Sequence, residues 1–250
     1  MATRDASARR PRPAPPHHAS LAPRWAPAAA VLGVLVTGLI AALVWHSRQL
    51  PGLDAWVEDR LGARTDLQFR LAGEVASGLR GITVLGVVAA AAGAWAVLRR
   101  WNGVALALLA PAATLAAELL LKPLVARRAP ESTTFHYPSG HVAVATALAV
   151  SLILLVRFAG SRPAVRLATV AATSLLVVAM ALAVLIATAH LFSDVVGGVA
   201  TGVAVTLAAA WLVDRSVGGR LLQLHADGLR QAAVQRSEHQ HGQGDRDGGE

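Results

Sequence analysis

Long apolar runs alternate with short polar breaks along this chain, and the length of the runs sets the scale of the fold. Stretches dominated by Ala, Val and Leu occupy residues near 26–46, 81–98, 103–121, 141–157, 167–189 and 195–213. Each is close to the roughly 20 residues that an α-helix needs to cross a bilayer. In hydrocarbon every backbone N–H and C=O must find its partner within the protein, so runs of this length predict helices. The pattern therefore predicts an all-α integral membrane bundle of six spans over residues 25–213. The break at 47–80 is different. Its sequence LDAWVEDRLGARTDLQFRLAGEVASGL mixes charged and apolar positions at helical spacing. It predicts one or two short amphipathic helices lying at the interface.

The two ends read as tails. Residues 1–24 are rich in Pro, Ala and Arg and predict a disordered segment. Residues 214–250 are rich in Gln, Gly, His and Asp, with a short surface helix expected near Leu221–Gln235. The first apolar run is too long for a cleaved signal peptide and lacks its flanks, so it reads as a signal anchor. No repeat of fixed period supports a solenoid or propeller.

Composition sharpens this picture. With 54% hydrophobic and 15% charged residues, the chain is too apolar for an ordinary soluble domain. The absence of cysteine excludes disulfides, thiolate metal sites and a cysteine nucleophile. The net charge of +8 lies in tails and short loops, and aromatics are only 4%, which argues against a nucleic-acid face. The arginines set the expected orientation. Arg4–Arg24, Arg99 and Arg100, Arg157–Arg166 and Arg215–Arg246 fall on one side of a six-span bundle. By the positive-inside rule that side is the cytoplasm. The expectation is thus a multi-pass plasma-membrane protein with both termini cytoplasmic, in contact with membrane lipids.

The remaining polar groups collect at the outer ends of the spans. Lys122, the chain's single lysine, closes the third run and is followed by Arg127 and Arg128. Ser139, Gly140 and His141 open the fourth run, His190 closes the fifth and Asp194 opens the sixth. Ionisable groups at membrane depth are costly and tend to serve function. These types suit one task. Lys and Arg supply positive charge for a phosphate. A helix start with Ser and Gly offers backbone N–H groups to an anion. Two histidines can divide the roles of nucleophile and proton donor, and Asp194 can orient His190. Each residue also has a plain structural reading. Lys122 suits a snorkelling anchor, Arg127 and Arg128 suit interfacial charges, and Ser139 suits a helix cap. His190 and Asp194 suit a hydrogen-bonded pair at a turn. His46 and His136 read as interfacial. Gly197, Gly198 and Gly202 read as close-packing positions.

The segments KPLVAR, PSGH and HxxxD, in this order and at these helix ends, resemble the type 2 phosphatidic acid phosphatase (PAP2) superfamily of membrane lipid phosphatases. The resemblance implies His190 as the nucleophile that forms a phosphohistidine, Asp194 as its orienting carboxylate and His141 as the general acid. It implies Lys122, Ser139 and the Gly140 N–H as phosphate-binding groups, with Arg127 standing in for the arginine of the first motif. No metal or cofactor is implied. The sequence departs from the family at Ala129, where the first motif has Arg, and at Ala183 and Val184, where the third has Ser-Arg. The function expected is hydrolysis of a lipid phosphomonoester or diphosphate: phosphatidic acid, phosphatidylglycerol phosphate or a polyprenyl diphosphate. The departures keep open a second class, a weakened member that binds lipid phosphates or a membrane partner. A transporter with a His/Asp proton relay would place its polar groups at mid-membrane instead.

Overall fold

The computed structural model describes residues 20–45, 52–78, 82–98, 100–128 and 135–216. Most of both expected tails lies outside the described residues, as do His46 and the surface helix expected near Leu221–Gln235. The helices are α1 (Ala26–Leu43), α2 (Gly52–Leu61), α3 (Asp66–Gly78), α4 (Ile82–Val97), α5 (Trp101–Val125), α6 (Gly140–Phe158) and α7 (Pro163–Ile186). An eighth, α8, runs over Phe192–Ser216. No strand occurs among the described residues.

Five helices, α1 and α5 to α8, are long and apolar enough to cross a membrane. The remaining expected span is α4, which is apolar but has 16 residues. At 1.5 Å per residue it is about 24 Å long, short of a hydrocarbon core of about 30 Å, and local thinning or flanking polar side chains accommodate such a deficit. The short helices expected in the first outer loop are α2 and α3. Both pack on α7. Val57 and Ala76 are buried with Met180 and Ala183, while Leu53, Trp56, Leu67 and Phe69 stay exposed.

The spans sort by burial. In α6 and α8 more than half of the apolar window is buried, against 17% in α1 and 28% in α7. The first pair forms the centre of the bundle. The second pair turns side chains such as Leu35, Leu39, Leu167 and Leu175 outward, as lipid-facing helices do. Close approach of α8 to α6 depends on a missing side chain. A Cβ built at Gly198 would lie 2.6 Å from the Ser139 carbonyl oxygen. Away from the site, Leu21, Ala26, Trp95, Leu106, Leu155 and Ala210 form a second apolar cluster. The Asp214 carboxylate ties the segment just before α1 to α8 there, accepting the backbone N–H groups of Leu21 at 3.1 Å and Ala22 at 2.8 Å.

Helix ends place the polar residues. Helix α5 runs past the expected boundary at 121, and Lys122 sits in its last turn. Ala126 then takes a left-handed conformation (φ 53°) and donates its N–H to the Lys122 carbonyl. This turn ends the helix, and the next residue, Arg127, is buried. Helix α7 closes with Ala187 donating to Ala183. The short turn that follows holds His190, and Asp194 lies in the first turn of α8.

Candidate active site

Lys122, Arg127, Ser139, Gly140, His141, His190 and Asp194 come together at one end of the bundle. The imidazoles of His141 and His190 meet edge to face, with ring centroids 6.1 Å apart. The Asp194 Oδ2 lies 3.8 Å from the His190 Nδ1. That is too long for a hydrogen bond, and Nδ1 is buried without a hydrogen-bond partner. Asp194 is fully buried and firmly held. Its Oδ2 accepts the Leu191 N–H at 3.0 Å, its Oδ1 accepts Arg127 Nη1 at 2.8 Å, and its carbonyl accepts the Ser139 N–H at 3.0 Å. The last bond joins the start of α6 to the start of α8.

Ser139 is the N-cap of α6, yet its side chain makes no capping hydrogen bond. Its hydroxyl is buried and has no partner. A buried hydroxyl is ordinarily paired, so the cap reading does not account for this one. An anion at the helix start would satisfy it.

The cations are each met by acids. Lys122 Nζ lies 2.6 Å from the Glu118 carboxylate, one helical turn earlier. Arg127 is 1% exposed. It donates to Ser193 Oγ, to Asp194, and through Nη2 to Asp54 Oδ2 at 2.6 Å. Two cations therefore face three carboxylates before the histidines are counted. An incoming anion would therefore have to displace one of these carboxylates from its cation.

His136 lies against His190, with ring centroids 5.7 Å apart. Its Nδ1 is 3.1 Å from the Ala189 carbonyl and donates to it in the neutral tautomer. Burial, with the neighbouring His190 adding to it, pushes the His136 pKa below the ordinary histidine value. His136, His190 and Asp194 bring one potential ligand atom each within 4.8 Å of one another. The guanidinium of Arg127 already pairs with Asp194 there, and a divalent cation would have to compete with it.

The family model of the PAP2 superfamily matches residues 103–217. This covers α5 to α8, the helices that carry or flank every residue predicted for the site. Over these helices the chain is similar to the PAP2 superfamily. Its fold is similar to that of the crystal structure described as the first transmembrane PAP2 type phosphatidylglycerolphosphate phosphatase, from Bacillus subtilis. The TM-score is 0.64 at 17% identity, over 75% of this chain and 96% of that one. No protein of curated function matches the chain.

Within this PAP2 fold, the third-motif departures lie in the core. Ala183 and Val184 are buried in an apolar cluster with Met180 and Val195. Ala129 lies outside the described residues. Three polar contributors were not expected from the sequence. Glu118 had a visible signal: it is an acid inside an apolar run, four residues before Lys122. Asp54 had none, being one of several acids in an amphipathic stretch. Ser193 reads simply as the start of a helix.

Gly140 takes on a specific meaning. A side-chain carbon there would strike the Glu118 carboxylate, which lies against the start of α6 beside Lys122. Gly140→Ala should therefore displace Glu118 and crowd the start of α6, where a phosphate is expected to bind, and lower activity about tenfold or more. Because the obstacle is the end of a flexible side chain, the melting temperature should fall by only a few degrees. Gly198→Ala meets backbone instead and should cost about 1–3 kcal/mol of stability. Parallel melting and phosphate-release assays check this, and the reverse order of effects would refute it.

Proposed function

We propose that this protein is a PAP2-type enzyme that hydrolyses a phosphomonoester or diphosphate of a membrane lipid through a phosphohistidine on His190. The observation that carries the reading is the convergence of His141 and His190 at 6.1 Å, with the Asp194 carboxylate 3.8 Å from the His190 Nδ1. Nδ1 faces Asp194, so the lone pair of Nε2 is the attacking group. It forms the N–P bond as the ester P–O bond breaks. His141 gives its proton to the leaving oxygen. Water then attacks phosphorus, His141 takes a proton from it, and the N–P bond breaks to release phosphate. Asp194 stabilises the positive charge that develops on His190. Contacts of this kind are often long in empty sites and tighten on substrate binding.

The unpartnered Ser139 hydroxyl and the N–H groups at the start of α6 support binding of the phosphate oxygens. Lys122 adds charge once Glu118 releases it. A site at one end of a membrane bundle suits an amphiphile whose phosphate is wet and whose tails lie in lipid. Phosphatidic acid, phosphatidylglycerol phosphate and a polyprenyl diphosphate all fit that description.

A second reading has its own support. Lys122 and Arg127 are already paired with carboxylates, as they would be in a PAP2 protein that binds lipid phosphates without turning them over. One experiment separates the two. The purified protein, reconstituted in vesicles with EDTA present, is given each of the three lipid phosphates. Release of inorganic phosphate from at least one of them, undiminished by EDTA, is the expected result. Binding of all three without release favours the second reading, and a strict metal requirement contradicts the histidine mechanism.

A further inference from the structure

Asp54 comes from α2, ahead of the region matched by the family model, yet its carboxylate lies at the heart of the site. It is 2% exposed. One oxygen accepts the Ser193 backbone N–H at 2.7 Å. The other accepts Arg127 Nη2 at 2.6 Å and the Ser193 hydroxyl at 2.7 Å. From Arg127 the chain of contacts continues through Nη1 to Asp194 and on to His190. Docking of α2 does not require an acid here, since Val57 already buries an apolar anchor on that helix. A buried ion pair carries a desolvation cost that a hydrophobic residue would avoid. What the acid supplies is geometry. A guanidinium gripped by carboxylates on two sides is fixed in orientation, and it then presents Asp194 to His190 in one position.

We propose that Asp54 is a positioning residue of the hydrolytic site: acting through Arg127, it holds Asp194 in register with His190. The inference rests on the reading of His190 as the nucleophile. It also assigns α2 two faces with two tasks. Leu53 and Trp56, beside Asp54 in sequence, are exposed at 59% and 57% and suit contact with the lipid interface, while Asp54 reaches inward to complete the site.

Asp54→Asn keeps the size of the side chain and can still accept the Ser193 N–H, but it removes the charge facing Arg127. Four reconstituted proteins are compared: wild type, Asp54→Asn, Asp194→Asn and the double variant. Asp54→Asn should lower kcat about 10- to 100-fold, with KM changed less than about twofold. In the Asp194→Asn background the same substitution should cost less than about twofold, because the residue through which it acts is already altered. An unchanged kcat, a loss confined to KM, or an equal loss in both backgrounds overturns the proposal. If Asp54→Asn does not fold, Ser193→Ala is the milder probe. It removes only the hydroxyl that touches both Asp54 and Arg127, and it should give a several-fold kcat loss with the same coupling. If the wild type releases no phosphate from any lipid phosphate, the functional reading fails by itself. Asp54 is then judged by the rate at which diethyl pyrocarbonate modifies His190, followed by mass spectrometry. A several-fold change in the wild-type background and none in the Asp194→Asn background sustains the coupling. No change, or the same change in both, overturns it.

Discussion

Replacing Arg127 by methionine should cost the protein about 3–5 kcal/mol, the range seen when one partner of a buried ion pair is removed. The reason lies in what remains. Asp54 and Asp194 are 2% and 0% exposed, and Arg127 is the cation paired with both. Methionine fills most of the volume but leaves two carboxylates in a site closed to water. For a chain of this size the shift in melting temperature should be on the order of 10 °C. The neighbouring Arg128 is the control. It stacks its guanidinium over the Phe135 ring, 4.9 Å from the centroid, and a partly exposed contact of that kind contributes about 1 kcal/mol or less. Arg128→Met should therefore melt within a few degrees of wild type. Thermal melting in detergent, read by size-exclusion chromatography, checks both. Equal melting of the two variants would contradict the central place given to Arg127.

That place was not legible in the sequence, and the reason is physical. The sequence shows which residues end an apolar run, because a charge at that position interrupts hydrocarbon burial. Lys122, His141, His190 and Asp194 were found in this way, and the bundle gathers them at one end because successive spans return there. The six apolar runs correspond to α1 and α4 to α8, and the amphipathic break to α2 and α3. What a run boundary cannot show is which charges meet. Arg127 was expected at the phosphate, but the left-handed turn at Ala126 leads into a buried position between two acids. One of them, Asp54, is 73 residues away in the chain. Nothing local distinguishes Asp54 from Asp59, whose side chain is 79% exposed. Glu118 is intermediate. Its spacing from Lys122 predicts a helical ion pair, and that pair forms at 2.6 Å in the last turns of α5. The contact of Glu118 with Gly140 depends on how α5 crosses α6, which no pattern in either helix reveals.

His190→Ala should abolish turnover, with a loss of at least about 10³-fold in kcat, as expected when a covalent nucleophile is deleted. The fold should survive. His190 sits in a turn outside the helices, and its Nδ1 makes no hydrogen bond, so its removal leaves Asp194 still held by Arg127 and the Leu191 N–H. This separates it from Arg127→Met, where activity and stability fall together. His141→Ala removes the proposed proton donor, and its effect should be smaller on substrates with good leaving groups. The most direct measurement is the initial rate of phosphate release from a lipid phosphate by reconstituted wild type and His190→Ala, at matched protein and in EDTA. Steady release by the wild type is expected, with background release by a His190→Ala protein that melts normally. Equal rates from the two would contradict the assignment of His190 as nucleophile.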